Sequence, residues 1–254
     1  MFAFLSSEVT DPIQWIFIHN MDDAMGPLGI SKLTLNMWLA AGILTFLLWK
    51  VKKDQGAPTG LLRGIFEMVY FFVRDGIVYP VMGKENGQTF LPLFLTMFSF
   101  IFTMNLMGLV PLPYIGGAAT GTLGLTISLA SIVFLTSVLA GIKYNGIGGF
   151  ITGFLPHGLP KFVIPLLFPI EVLGFVIKHA VLAVRLFANM LAGHLVLGGF
   201  LGLIFVYESY ALVPVSIPLA LFMNFLELLV AFLQAYVFTL LSCLFIGGAV
   251  HPDH

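Results

Sequence analysis

The chain has 254 residues, of which 59% are hydrophobic and only 9% are charged. A soluble domain of this length needs far more charged surface, so the composition excludes a soluble domain. It predicts instead an all-α, polytopic membrane protein. The net charge of −1 gives no sign of a nucleic-acid partner. The single cysteine, Cys243, excludes an internal disulfide and most metal sites, and we predict neither a metal nor another cofactor.

The N-terminal third of the chain changes character twice. Residues 1–31 are mixed in polarity and rich in acidic side chains, which predicts an exposed lead on the outer side of the membrane. Residues 33–51 are apolar enough to form the first span, because about 20 residues cross a bilayer. In residues 57–80 charged side chains alternate with aromatic ones, and this amphipathic pattern predicts a helix that lies at the interface.

The rest of the chain is strongly apolar. Two upright spans, 89–111 and 121–142, are separated by a turn-rich segment. Two longer apolar blocks follow, 161–206 and 211–248. A continuous helix of about 40 residues measures about 60 Å, twice the hydrocarbon thickness of about 30 Å, so each block is either two short spans or one steeply tilted helix. Polar residues occur in mid-block without turn residues beside them, which favours two tilted helices packed as a hairpin.

These segments make one integral-membrane domain, residues 32–248, with a short tail at 249–254. The orientation follows from the rule that basic residues concentrate on the cytoplasmic side. If the N-terminus is outside, Lys32 is the only basic residue on the outer side, and the C-terminal tail is cytoplasmic. The basic residues on the cytoplasmic side are then Lys50, Lys52, Lys53, Arg63, Arg74, Lys84, Lys143 and Lys161.

Charged side chains nevertheless occur inside the first long block. An arginine at a helix centre costs about 2.5–3.5 kcal/mol on insertion scales, so Arg185 needs a task or a partner there. At 100° per residue, Glu171, Lys178, Arg185 and Asn189 lie within about 40° of one another and form a polar seam about 27 Å long. His194 points about 140° away from Glu171, toward a different face of the same helix.

Structural roles are the alternative for the residues of this seam. Lys178 could extend its ammonium group to the interface, and Glu171 could be a carboxylate at a helix start. Arg185 could be the counter-ion of Glu171 or of Glu227 in the last block. A functional role is favoured because the polar residues all lie on two helices that we expect to face each other.

The last block carries a second polar stripe. Asn224, Glu227 and Gln234 lie at spacings of three and seven residues, which places them on one face of a helix. The amides could serve as hydrogen-bond glue between helices, and Glu227 could form a structural ion pair with His194. A histidine and a carboxylate are also the groups that a proton relay near neutral pH needs.

Motifs in both long blocks carry a family resemblance. PIE at 169–171, followed by RLFANMLAGH at 185–194, resembles the signature of subunit a of rotary F-type ATP synthases. MNLMGLVP at 104–111 and LTISLA at 125–130 are similar to the family's earlier spans, and FLELLVAFLQAYVFTLLS at 225–242 is similar to its last helix. The resemblance covers most of residues 33–248.

This resemblance implies a stator subunit in a bacterial plasma (inner) membrane. Its tilted helices would follow a ring of c subunits, subunit b of the peripheral stalk and the rest of the synthase would be further partners, and ATP chemistry would reside on other subunits. Proton flow through two half-channels would drive ring rotation and ATP synthesis. The implied site consists of Arg185 facing the ring carboxylate, Glu171 and Lys178 near the inner opening, and Asn189, His194, Glu227, Gln234, Asn105 and Ser128 along the outer half-channel.

Two positions depart from the pattern of some family members. Those members have an acid where this chain has His194 and a histidine where it has Glu227, so the pair is exchanged here. Some also have an acid at the position of Gly108. The main alternative function is a secondary ion-coupled transporter with a polar site at the membrane midplane, although such proteins usually show repeated halves and broken helices. A channel would show a filter or rings of charge, and a purely structural anchor would not need Arg185.

The orientation can be tested with introduced cysteines. We expect Asp22→Cys to react with a membrane-impermeant thiol reagent in intact cells, because residue 22 lies outside. Asp253→Cys should react only after the cells are opened. Labelling of Asp253→Cys but not of Asp22→Cys in intact cells would reverse the assignment.

Overall fold

A computed structural model describes residues 24–25, 30–53, 61–109, 121–154, 163–206 and 213–250. Within these ranges the chain is helical apart from short turns and one antiparallel pair of two-residue strands, β1 (Ala24–Met25) and β2 (Ile30–Ser31). The predicted all-α membrane fold is therefore confirmed. The predicted lead at 1–31 and tail at 249–254 lie largely outside the described residues.

The first half of the chain forms three α-helices. Helix α1 spans Lys32–Lys53, and α2 spans Leu61–Val73. A π-helical turn, Arg74–Val78, joins α2 to α3, which spans Tyr79–Leu109. Helix α2 and the turn lie within the segment 57–80, and the interfacial position of that segment stays a prediction.

The second half contains α4 and the two longest helices, α5 and α6. Helix α4 spans Leu123–Thr152, α5 spans Ile164–Val206 with 43 residues, and α6 spans Val213–Val250 with 38 residues. Each long apolar block is thus one helix rather than two short spans. A helix of 43 residues measures about 65 Å, so it must tilt or curve strongly to remain in a hydrocarbon layer of about 30 Å.

Four helical stretches of the described part are long and apolar enough to cross a membrane. They are Arg63–Leu109, Leu123–Thr152, Ile164–Phe200 and Val213–Val250, and the shorter Thr34–Phe46 is also apolar. Large hydrophobic side chains on the long helices are exposed, including Leu221 and Phe225, which are more than 60% exposed. Such surfaces suit lipid or an apolar partner subunit.

The helices contribute to two compact units. The first consists of residues 1–48, 100–122 and 187–234, and the second consists of residues 49–99, 123–186 and 235–254. Buried core residues of the first unit are Ala40, Ile101, Met104, Met190, Ala220 and Ala231. Those of the second unit include Val73, Ile77, Phe94, Phe98, Leu182, Leu186, Phe238 and Ile246.

A sharp turn within α4 shapes the second unit. Gly146 has a φ of 71°, which only glycine adopts readily, and it interrupts the helical backbone. The chain after this turn returns along α4, so that the ring of Phe150 lies directly against Gly141. A side chain at residue 141 would collide with that ring, and glycine is therefore required for the close approach.

Candidate functional site

Three predicted site residues of the first unit lie on α6 or in contact with it. Glu227 and Gln234, both on α6, are 5% and 6% exposed, and Asn105 on α3 is fully buried. The Asn105 amide Nδ2 donates a hydrogen bond of 3.1 Å to the carbonyl oxygen of Ala231. Because Ala231 lies four residues after Glu227 and three before Gln234, Asn105 is anchored about one helical turn from each.

Helix α5 approaches Glu227 through a glycine. A Cβ atom at Gly193 would lie 2.7 Å from Glu227 Oε1 and 2.9 Å from Cδ, closer than real Cβ contacts occur. The α5 backbone therefore lies directly against the carboxyl group of α6. This contact agrees with the expectation that the two long helices face each other.

The remaining outer-channel candidates differ in environment. Asn189 on α5 is exposed. Ser128 on α4 belongs to the second unit, is exposed, and donates to the carbonyl oxygen of Gly124 at 2.8 Å. His194 falls within helix α5, but its side chain lies outside the described residues.

Arg185 is exposed on α5, whereas its neighbours Leu182, Ala183 and Leu186 are buried. Among the residues that the structure describes, none forms an ion pair or a hydrogen bond with its guanidinium group. Ion pairs of the described part include Arg63–Glu67 at 3.4 Å and Arg74–Asp75 at 2.8 Å, neither of which involves Arg185. The alternative role of Arg185 as an internal counter-ion of Glu171 or Glu227 therefore gains no support.

A cavity in the second unit holds the two candidates for the inner opening. It measures about 210 Å³ and is lined by Glu171, Lys178, Asn145, several phenylalanines and the end of α6. Glu171 is half-buried and Lys178 is exposed. The structure thus brings these two charged side chains to one cavity, as their common helix face predicts.

The end of α6 is held by a side chain that was not evident from the sequence. Asn145 Nδ2 donates to the carbonyl oxygens of Ala249 at 2.9 Å and Val250 at 3.3 Å. The last carbonyls of a helix lack partners within the helix, so this amide satisfies two of them. The only sequence signal is that Asn145 precedes a glycine in a turn-rich segment.

A buried histidine in the same unit serves packing. His179 is 4% exposed and lies among the rings of Phe134, Phe175 and Phe245, with centroid distances of 4.7–5.3 Å. Its Nδ1 lies 2.8 Å from the carbonyl oxygen of Phe175 and donates to it. Its Nε2 is 3.5 Å from Ser137 Oγ, so both ring nitrogens have neighbours inside the helix bundle.

The described helices are long and apolar, yet carboxyl, amide and guanidinium groups occur along the segments that are long enough to cross a membrane. Such a protein belongs to the class of ion-translocating membrane proteins, in which polar groups inside the membrane mark ion pathways. Comparison with known proteins gives the family. Residues 34–247 match the family described as ATP synthase A chain.

Curated relatives agree with this match. ATP synthase subunit a of Myxococcus xanthus is 43% identical over 93% of this chain and 80% of the relative. ATP synthase subunit a of Chloroherpeton thalassium is 42% identical over 89% of this chain and 68% of the relative. That of Gluconobacter oxydans is 37% identical over 88% of this chain and 89% of the relative. The chain belongs to the ATP synthase A chain family. The resemblance to subunit a of F-type synthases is therefore confirmed.

Family membership assigns the chain to the membrane sector of an ATP synthase, as a stator subunit, and not to the subunits that carry ATP chemistry. It also agrees with a multi-pass membrane location. The roles of individual residues do not follow from membership alone. They rest on the positions described above.

The contact between Gly193 and Glu227 can be tested directly. Gly193→Ala places a methyl carbon 2.7 Å from Glu227 Oε1, so the carboxyl group must shift. If Glu227 carries protons, as the sequence predicts, ATP-driven proton pumping in membrane vesicles should fall by about tenfold, because small displacements of a reacting group are costly. Gly199→Ala is the matched control on α5, since a Cβ there meets no atom within 4 Å. Equal pumping by the two variants would show that the contact between Gly193 and Glu227 has no effect on proton pumping.

Proposed function

We propose that the chain couples transmembrane proton flow to rotation of a c-subunit ring, and thereby to ATP synthesis, with Arg185 as the essential fixed charge. The observation that carries this proposal is the exposed guanidinium group of Arg185. It lies within an apolar helix of 43 residues, without an ion pair or hydrogen bond to any described residue. A charge inside hydrocarbon is costly, so a carboxylate of the neighbouring ring is its natural partner.

The chemistry of arginine suits this task. A rotor carboxyl group must be neutral to pass through lipid, because a bare charge there is too costly. Next to Arg185 it can ionise, since a nearby cation favours the charged form. Arginine keeps its proton in proteins, so it cannot pass protons straight from one half-channel to the other. Protons must then travel with the ring, and the ring must turn.

The outer half-channel uses polar groups of both long helices and of α3. Burial of Glu227, Gln234 and Asn105 in one unit supports this part of the proposal, because a polar path must be shielded from lipid. His194 pairs with Glu227 for proton transfer. Gly193, the residue that precedes His194, lies against the carboxyl group of Glu227, and this contact supports the closeness of the pair. Asn189 and Ser128 complete the proposed lining.

The inner half-channel opens near Glu171 and Lys178. Their shared cavity next to the C-terminal end of α6 supports this placement, since the C-terminus of the chain is predicted to be cytoplasmic. Glu171 exchanges protons with the cytoplasm there. Lys178 contributes a positive charge to the same cavity.

The proposed assembly comprises the c ring, subunit b of the peripheral stalk, the rest of the synthase and the lipid of a bacterial inner membrane. The N-terminus lies outside and the C-terminus lies in the cytoplasm. No cofactor or nucleic acid takes part. A secondary transporter would need the same kind of polar site, but family membership favours the stator.

The pairing of His194 with Glu227 predicts a specific pattern of exchange. Either His194→Glu or Glu227→His alone should slow proton pumping, because each leaves two like groups. The double exchange should recover more pumping than the two single effects predict, since histidine and carboxylate face each other again. Pumping is followed with a pH-sensitive dye in inverted vesicles. A double variant that equals the sum of the singles would contradict the pairing.

Arg185 provides the decisive test of the proposed function. Arg185→Lys keeps a positive charge but replaces five fixed donors by an ammonium group that can lose its proton when desolvated. We expect an assembled complex that neither pumps protons nor makes ATP. Arg185→Ala should also leak protons passively, because no fixed charge then separates the half-channels. Assembly is checked on native gels.

An assembled Arg185→Lys complex that pumps at nearly the wild-type rate would refute the proposed role. Thr239→Val serves as the control, because the Thr239 hydroxyl already donates to the carbonyl oxygen of Ala235 within its own helix at 2.8 Å. This variant should pump normally.

A further inference from the structure

Helix α5 is attached to the second unit along one narrow face. Within that unit α5 comprises residues 164–186, and all of their side chains are described. The buried members are His179, Leu182, Ala183 and Leu186, whereas the rest are exposed or half-buried. Residues three and four apart lie on the same side of a helix, so these four form a single stripe. This stripe therefore decides how α5 is rotated about its own axis.

The proposed ion path depends on that rotation. At 100° per residue, Glu171, Lys178 and Arg185 lie about 80–120° round the helix from His179. A rotation of α5 by about 100° would thus carry these charges to the buried side. Arg185 would then lose the exposed position from which it is proposed to face the ring carboxylate.

The apolar part of the stripe specifies the rotation only weakly. Burial of Leu182, Ala183 and Leu186 favours no particular direction, because the hydrophobic effect is non-directional. Inside a membrane even this contribution is small, since lipid tails are as apolar as the protein surface that replaces them. The polar member of the stripe, His179, can instead form contacts that hold in one direction only.

The imidazole of His179 is fixed on its own helix and inserted between two others. Its Nδ1 donates to the carbonyl oxygen of Phe175 at 2.8 Å, which limits rotation of the ring. The ring centroid lies 5.3 Å from that of Phe134 on α4 and 4.7 Å from that of Phe245 on α6. A ring held in this way acts as a rigid spacer between the three helices.

The second ring nitrogen of His179 faces a polar group of α4. Because Nδ1 carries the hydrogen, Nε2 is an acceptor, and Ser137 Oγ lies 3.5 Å from it. Ser137 is fully buried, and its hydroxyl can turn between this nitrogen and the carbonyl oxygen of Val133 at 2.9 Å. If α5 were rotated so that His179 faced lipid, Nε2 would meet hydrocarbon, which offers no donor. The present rotation therefore gives both ring nitrogens polar neighbours.

We propose that His179 is a positioning residue that sets the rotation of α5 against α4 and α6, and thereby keeps the polar seam with Arg185 on the exposed side. An apolar ring could fill the same space, but it loses nothing when it faces lipid and so would not select this rotation. Two of the rings that hold His179, Phe175 and Phe245, also line the inner cavity beside Glu171, so the same contacts support the cavity wall. His179 itself transfers no proton.

This inference rests on the proposed function, since the rotation matters only if Arg185 works from its exposed position. His179→Phe keeps an aromatic ring but removes both nitrogens, whereas His179→Gln removes the ring and keeps a donor and an acceptor. In the complete synthase we expect His179→Phe to lower proton pumping per assembled complex by about tenfold, because a displaced charge is costly. Assembly is quantified on native gels, and pumping is followed with a pH-sensitive dye in inverted vesicles.

The order of these two variants separates positioning from packing. His179→Gln should pump more than His179→Phe, because it can still form directional contacts. A packing role predicts the opposite order, since phenylalanine resembles the imidazole ring more closely in shape. Pumping by His179→Phe equal to or above that of His179→Gln would overturn the inference.

Two buried serines provide a matched pair of variants. Ser137 and Ser242 are both fully buried, and both donate to the carbonyl oxygen four residues earlier, at 2.9 and 2.7 Å. Ser137 in addition neighbours His179 Nε2. Ser137→Ala should therefore lower pumping per complex by about threefold, as for the loss of one hydrogen bond, while Ser242→Ala pumps normally. Equal pumping by the two overturns the inference, and this comparison decides the matter if His179→Phe does not assemble.

Arg185→Lys distinguishes the inference from the proposed function on which it rests. An inactive Arg185→Lys complex, together with the two differences above, supports the inference. An inactive Arg185→Lys complex with normal pumping by His179→Phe overturns the inference and leaves the proposed function in place. Normal pumping by Arg185→Lys overturns both, because the position of that charge is then irrelevant to coupling.

Discussion

Hydrocarbon offers no hydrogen bonds, and this constraint governs every polar side chain of the long helices. Several hydroxyl groups of the helices satisfy it locally. The hydroxyl groups of Ser137, Thr239 and Ser242 each donate to the carbonyl oxygen four residues earlier in the same helix. Asn145 binds the last carbonyls of α6. Such bonds make polar residues inert, because their donors are already used and they offer little to a passing proton.

Other polar residues do not satisfy the constraint in this way, and three of them lie on the helices of the proposed ion path. Arg185 has no described partner, while Asn105 and Asn224 each have a buried amide oxygen that no described donor reaches. A membrane protein keeps such groups only where water or another subunit completes them.

Much of this picture could be predicted from the sequence. Hydropathy gave the long helices, since the length of an apolar run is a local property. Helical periodicity placed Glu171 and Lys178 on one face, and the structure indeed brings them to one cavity. The motif around Arg185 identified the family. Predictions that depend on the membrane or on other subunits, such as the tilt of α5 and the ring contact, stay predictions because a single chain does not contain those partners.

Composition, hydropathy, motifs and helical periodicity are enough to establish the class, the helices, the family and the faces on which the charged residues lie. Which of these faces meet is a property of the tertiary packing. The approach of Gly193 to Glu227 and the bond from Asn105 to Ala231 join residues 34 and 126 positions apart. Periodicity states which way a side chain points from its own helix, but it carries no information about the neighbour it will meet. That choice depends on how the helices pack, and therefore on the shapes of all the side chains between them.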